Sequence, residues 1–187
     1  YNNFMILALT IVTMINEKPT DADLVKDYRK GNQKAFEILL KRYERPLYSF
    51  IFRFVHDRES ADDLFQQTWF KVVRYLHMYK EEGKFSSWLF GIANNACIDE
   101  IRKDKTKQKD DYISEEKLDT LPDCEGDPME ILQKKEKSKW LEKAVEKLPA
   151  EQQQVILLRV YADLSFREIA ELLQSPLNTI LGRMHYA

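Results

Sequence analysis

The chain has 187 residues, 44% of them hydrophobic, enough for one large core or two small ones. Its 5 glycines and 6 prolines against 32% charged residues favour helices over hairpin-rich β architecture. A net charge of −2 excludes a polycation that coats nucleic acid indiscriminately, so any DNA contact has to come from local patches.

Residues 4–15 form a mostly apolar run with no Lys or Arg before it. The run is too short to span a bilayer and lacks the basic start and small-residue cleavage site of a signal peptide. Met14-Ile15-Asn16-Glu17-Lys18 reads as an ordinary cytosolic start, so residues 1–20 are expected to be an extension, artefactual up to residue 13.

The first predicted helix covers 21–28, with Leu24, Val25 and Tyr28 on one face and Gly31-Asn32 as its stop. A long helix over 33–55 follows, where Phe36, Leu39, Leu40, Tyr43, Leu47, Phe50, Ile51 and Phe54 step by three and four. Pro46 inside it predicts a kink or a local break. Residues 56–59 read as a turn, and Ser60 with Asp63 is the expected cap of a third helix running to about Met78. Its inward positions are Leu64, Thr68, Val72 and Leu76, with Phe65, Trp69 and Val73 beside them. Glu81-Glu82-Gly83 opens a loop, and residues 84–88 lead into a helix through Ile92, Ala96 and Ile101 to Lys103.

At Asp104 the composition changes. Residues 104–136 carry 6 Lys/Arg against 11 Asp/Glu, whereas 14–103 carry 16 against 14 and 137–187 carry 7 against 6. The middle therefore reads as a flexible acidic linker, with a helix starting near Met129. Trp140, Leu141, Ala144, Val145 and Leu148 stripe a further helix ended by Pro149, and residues 152–161 form the next.

The last stretch, 164–187, reads as two short helices across a tight turn. Ser165 and Glu168 make an S-x-x-E capping box, and Phe166, Ile169, Ala170, Leu172 and Leu173 supply an apolar face. Ser175 suits an N-cap and Pro176 the first helical position of a second helix containing Leu177, Ile180, Leu181 and Met184. This is the helix-turn-helix plan, whose second helix can lie in a major groove. The fold class expected is all-α, with helical domains at 21–103 and 137–187 joined by the 104–136 linker.

Enzyme chemistry has no assembled set of residues here. His56, His77 and His185 are scattered, no Gly-rich phosphate loop is present, and Asp62-Asp63 and Asp99-Glu100 are adjacent acids that diverge on a helix. Cys97 and Cys124 have no C-x-x-C partner, as expected of free thiols in a reducing cytosol. No catalytic residue, metal ligand, cofactor or small-molecule substrate is expected.

Three blocks together resemble the bacterial sigma-70 family, in particular its extracytoplasmic-function (ECF) group, which keeps regions 2 and 4 joined by a linker. The first is Ser60-Ala61-Asp62-Asp63-Leu64-Phe65-Gln66-Gln67-Thr68-Trp69-Phe70-Lys71-Val72; the second runs from Phe85-Ser86-Ser87-Trp88-Leu89-Phe90 through Asn94-Asn95 to Asp99. The third joins Leu148-Pro149, Leu164-Ser165, Glu168-Ile169-Ala170, Thr179-Ile180 and Arg183. The resemblance covers residues 21–187. It implies a promoter-specificity factor with core RNA polymerase (its β′ clamp helices and β flap), promoter DNA and an inhibitory anti-sigma factor as partners.

On that resemblance Asp63, Gln66 and Gln67 make the polar contacts to the clamp helices, although the family commonly has an acid where Gln67 stands. The second block corresponds to the part that opens and reads the downstream (−10) element. Lys84, Phe85, Ser86 and Ser87 would border a pocket for an extruded base, Asn95 would hydrogen-bond a base, and Arg102, Lys103, Lys105 and Lys107 would meet phosphates. The helical spacing of Phe85, Trp88, Leu89 and Ile92 assigns them to the core rather than to a base platform. In the third block the final helix would enter the upstream (−35) element with Ser175, Asn178, Thr179, Arg183 and His185. Here the chain departs from the family: Leu181 replaces a usual lysine, Gly182 costs the helix about 1 kcal/mol relative to Ala, and basic residues usually follow where this chain stops at Ala187. Truncation and poor −35 binding are the resulting expectation. The rival reading is a stand-alone helix-turn-helix regulator that never joins polymerase.

Overall fold

The computed structural model describes residues 18–80, 84–107, 144–145 and 147–187, with the backbone alone at 104–107. Residues 1–17 of the N-terminal extension, the 81–83 loop, the 108–136 part of the linker with its helix near Met129, and Trp140 and Leu141 of the following stripe lie outside the described residues, whereas Ala144 and Val145 of that stripe are helical and half-buried. Among the described residues the structure is helical: α1 (Asp21–Arg29), α2 (Gln33–Val55), α3 (Arg58–Tyr75), a 3-10 turn (Leu76–Met78), α4 (Phe85–Lys107), α5 (Ala150–Tyr161), α6 (Phe166–Leu172) and α7 (Leu177–His185). None of these helices is long and apolar enough to cross a membrane. The residues group into two compact units, divided between Arg42 and Tyr43.

In the first unit, Thr20 opens α1 with a reciprocal capping box. Its hydroxyl accepts from the Asp23 amide at 3.2 Å, and its own amide donates to the Asp23 carboxylate at 3.3 Å. The helix stops at Gly31, whose φ of 98° is a backbone state closed to most side chains. There the Gly31 amide donates to the Tyr28 carbonyl and the Asn32 amide to the Asp27 carbonyl, the paired bonds of a Schellman ending. The Tyr28 and Phe36 rings, 5.1 Å apart, and the Arg42 guanidinium donating to Asp21 and to the Pro19 carbonyl hold α1 against the start of α2.

Of the kink or local break expected at Pro46, the break does not occur. Helix α2 is continuous through it, since proline removes a single amide donor and this position is half-buried rather than sealed in the core. The helix ends where His56 takes a φ of 57°. Asp57 is then extended and caps α3, accepting from the Ser60 amide at 2.7 Å. The cap is thus Asp57, not Ser60, because the left-handed turn at His56 frees the earlier residue to start the helix.

In the second unit, Leu47, Phe50 and Ile51 of α2, Leu64 and Val72 of α3, and Phe85, Leu89 and Phe90 of α4 form a core with at most 3% exposure. Phe50 and Phe90 meet edge-on at 5.3 Å and 82°, as do Tyr79 and Phe85 at 5.8 Å and 88°, pairs worth roughly 0.5–1.5 kcal/mol each beyond their area. Thr68 is fully buried, and its hydroxyl donates to the Leu64 carbonyl at 2.7 Å. Val73, expected beside the core, is instead 45% exposed.

Helices α5, α6 and α7 enclose Val155, Leu158, Leu164, Ile169 and Ile180, each at 0% exposure. Between α5 and α6, Asp163 has a φ of 50° and Arg159 donates to the Leu164 carbonyl at 2.7 Å. The capping box at Ser165 and Glu168 forms as predicted, with amide-to-side-chain distances of 2.7 and 3.3 Å. The turn before α7 also differs from expectation. Gln174 takes the left-handed conformation, Ser175 donates its hydroxyl to the Leu173 carbonyl, and Pro176 stays extended as the N-cap, so α7 begins at Leu177 without a side-chain cap. These bonds close a second Schellman ending, with Ser175 and Gln174 amides on the Ala170 and Glu171 carbonyls.

Two buried amides tie α5 to α4 and to the end of α2. Gln154 donates to Asn94 at 2.6 Å, with 9% and 2% of the respective residues exposed. Next to it, Gln153 donates to the Arg53 carbonyl at 3.3 Å and lies 3.2 Å from the His56 ring.

In a double-mutant cycle of Asn94→Ala and Gln154→Ala, read by urea unfolding, each single change should cost about 1–3 kcal/mol because it leaves a buried amide unpaired. The coupling should be about 1 kcal/mol, and zero coupling would remove the pair from the native contacts. The hydrogen bonds from Ser60 hold the Asp57 carboxyl below its ordinary value of 3.8. A depressed carboxyl contributes stability above its unfolded pKa and loses it as pH falls through the folded one. Asp57→Ala should therefore cost about 1 kcal/mol at pH 7, and its difference from the parent should shrink on acidification below the ordinary aspartate range. A difference that widens in acid would contradict the cap.

Candidate functional site

Helix α4 has two working faces because of where its apolar residues fall. Phe85, Ser86, Leu89, Phe90, Ala93, Asn94, Ala96 and Cys97 are buried along one half of its circumference. Ser87, Trp88, Gly91, Ile92 and Asn95 occupy the other half and line a cavity of about 670 Å³. Tyr75, Met78, Tyr79, Lys80 and Lys84 complete its near wall, and Leu172 of α6 its far wall. The cavity is thus largely aromatic and aliphatic, with two ammonium groups and one amide, a composition suited to a planar base on an anionic backbone.

The structure brings together three of the expected −10 residues, Lys84, Ser87 and Asn95, and separates the rest. Phe85 is 2% exposed and packs against Tyr43, Tyr79 and Trp88, and Ser86 is 7% exposed; neither lines the cavity. Burial of both follows from their position on the core half of α4. Arg102 and Lys103 are exposed on the same helix and pair with Asp99 at 3.9 Å and Glu100 at 3.1 Å. The helix continues past the expected end at Lys103 through Lys105 to Lys107, whose side chains lie outside the described residues. Sequence reasoning missed Tyr75, Tyr79 and Leu172 as cavity residues. The aromatic run 75–79 was a usable signal, whereas Leu172 arrives from more than sixty residues away.

Helix α6 closes over this face. A Cβ added at Gly91 would lie 3.7 Å from Leu172, in ordinary van der Waals contact, so α4 and α6 meet here without the approach depending on glycine. Lys84 pairs with Glu168 at 3.4 Å. Partial burial pushes the Glu168 carboxyl up, but the Ser165 hydrogen bonds and the Lys84 ammonium outweigh it and leave the group below its ordinary value. One residue therefore serves both the α6 cap and the contact to the cavity rim.

On α3, Asp63, Gln66 and Gln67 are all exposed, with Phe70 beyond them at 75% exposure. The neighbouring Asp62 accepts from the Tyr48 hydroxyl at 2.7 Å, which anchors this face to α2. Burial, then the bond to Asp62, pushes the Tyr48 hydroxyl up to about 12. In α7, Ile180 is buried while Asn178, Thr179 and His185 are exposed and Ser175 is half-buried in the preceding turn. Arg183 is drawn back toward α5, pairing with Glu151 at 3.6 Å. Cys97 is enclosed in the core, where burial pushes its thiol up to about 12 and keeps it neutral. Among the described residues no three His, Cys, Asp or Glu side chains gather as a metal site.

Comparison with known proteins accounts for this layout. Residues 39–107 match the family model for sigma-70 region 2, and residues 138–185 match that for sigma-70 region 4. The chain is 30% identical over 169 residues to the ECF RNA polymerase sigma factor SigW of Bacillus subtilis, covering 86% of this chain and 89% of that one. It is 27% identical over 173 residues to the RNA polymerase sigma-H factor of Pseudomonas aeruginosa, covering 89% of each. In fold it is similar to the sigma factor RpoE solved in complex with the anti-sigma factor NepR from Bartonella quintana, with a TM-score of 0.64, 20% identity, and coverage of 82% and 91%. It is also similar to CnrH in complex with the cytosolic domain of CnrY, with a TM-score of 0.62, 21% identity, and coverage of 88% and 89%. Matching both regions in order, with a relative aligned along most of its length, the chain belongs to the sigma-70 family of RNA polymerase sigma factors, in its ECF group.

Proposed function

We propose that this chain works in the cytoplasm as a two-part initiation factor, with 21–103 gripping polymerase and the −10 element, 104–136 as linker, and 137–187 reading the −35 element. Family membership is what supports binding to core RNA polymerase and promoter DNA rather than a stand-alone regulator's role. Nucleotidyl transfer then belongs to the polymerase, and this chain contributes recognition and strand opening.

The observation that carries the residue assignment is the pairing of an exposed polar face on α3 with an aromatic, cationic cavity on α4. Asp63, Gln66 and Gln67 offer hydrogen bonds to the β′ clamp helices without disturbing the core beneath them. A melted −10 strand has unstacked bases, and the cavity can take one base by stacking while Asn95 offers donor and acceptor to its edge. Lys84 and Lys80 at the rim and Arg102, Lys103 and Lys105 along α4 supply phosphate contacts. In α7, Asn178, Thr179 and His185 are the groove-facing candidates, with Arg183 and Ser175 set back from that face. An anti-sigma partner, as named in the RpoE complex, fits the same surfaces as a competitor of polymerase and DNA.

The first test is a pull-down of the chain with bacterial core polymerase followed by run-off transcription. Association with a discrete transcript is expected. Asp63→Ala with Gln66→Ala should weaken association roughly ten-fold, about 1.4 kcal/mol, at an unchanged unfolding midpoint; undiminished association would remove α3 from the interface. Asn95→Ala should leave association intact yet lower permanganate reactivity of −10 thymines, and full reactivity would take Asn95 out of strand opening.

A further inference from the structure

The outward face of α7 carries an apolar side chain beside a gap, and neither belongs to the phosphate-contacting or polar set already described. With Ile180 buried at 0% exposure, a 3.6-residue period puts Asn178, Leu181, Gly182 and His185 on the side away from the core. They are spaced i, i+3, i+4 and i+7. Leu181 is 42% exposed, and a Cβ built on Gly182 meets nothing within 4 Å. The helix has no acidic residue, so the face suits an anionic partner. Arg183, which could have dominated such a face, is held by Glu151 with its side chain only 24% exposed.

We propose that Leu181 is a specificity-determining residue that reads the methyl group of a thymine in the −35 major groove, with Gly182 letting the helix seat deeply enough to reach it. This rests on the reading that α7 enters that groove. A lysine would favour guanine through O6 and N7, whereas an aliphatic side chain has one good complement in the groove, the thymine C5 methyl. Asn178, one turn before Gly182, can pair with adenine N6 and N7, so the face as a whole favours A·T pairs. The bare backbone at Gly182 removes a side chain's thickness between helix and base edges. A protein partner would instead use Leu177, Leu181 and Met184, a stripe nearer the core; Asn178 and His185, the hydrogen-bonding residues on the outer side of Leu181, favour DNA.

The test uses the full chain bound to core polymerase and duplexes it selects from a pool randomised across the upstream element. Each thymine of a selected duplex is replaced in turn by deoxyuridine, which lacks only the methyl. One position should lose about four-fold in affinity, the worth of one buried methyl group. Leu181→Ala should bind weaker and lose that sensitivity, and Leu181→Lys should shift the preference there toward guanine. Gly182→Ala should raise the melting temperature, since alanine is the better helix former, while weakening duplex binding. That opposition separates recognition from folding. Sequence-dependent binding with no deoxyuridine effect would overturn the role of Leu181 and leave the groove reading standing. Binding indifferent to the upstream sequence would overturn both. If Leu181→Ala weakened polymerase association instead, the face would be a protein contact and the proposal would fail.

Discussion

The division of α4 into a core half and a cavity half is the constraint on which the second unit depends. A helix can bury one half of its surface only if the other half is small, polar or needed elsewhere. Here the core half is anchored by edge-on aromatic contacts of Phe85 and Phe90. Those anchors set the rotation of the helix, and the rotation alone decides that Trp88, Gly91 and Asn95 point into the cavity. A side chain added at a core position would therefore disturb the cavity without touching it. The buried Asn94 sits on the core half next to cavity-lining Asn95, so two adjacent asparagines have separate duties, one pairing with Gln154 and one exposed.

Much of this was legible in the sequence wherever the physics is local. The capping box at Ser165 and Glu168 needs only residues three apart, and the helical stripes over 33–55 and 60–76 needed only the apolar period. What failed was also local, but competitive. Ser60 and Asp57 both make good caps, and the choice depended on where His56 turned the backbone left-handed. Ser175 lost its capping role for a similar reason, since the Schellman ending at Gln174 used its amide and turned its hydroxyl to Leu173.

The cavity was only partly legible, because its wall is assembled across distance. Lys84, Ser87 and Asn95 came from the family pattern, and they do meet at the cavity. Phe85 and Ser86 belong to the same pattern but turn to the core, since one helical step of 100° separates the two halves of α4. Nothing in the spacing of residues 84–95 could place Leu172 or Glu168 there, nor show that another helix crosses at Gly91. Helix α7 behaves alike: its buried Ile180 follows from periodicity, whereas the diversion of Arg183 to Glu151 is a tertiary fact.

The contact of α4 with α5 and α6 joins region 2 to region 4, and both belong to a single polypeptide. Its closure is therefore a first-order event whose extent does not change on dilution. The two sides are tethered, so a separate molecule that takes up the cavity competes with a neighbour that never diffuses away. The ion pair of Lys84 with Glu168 is partly exposed and so is weakened by added salt, while the Asn94–Gln154 bond is shielded from it. Ionic strength thus acts on the rim of this contact before it acts on its centre.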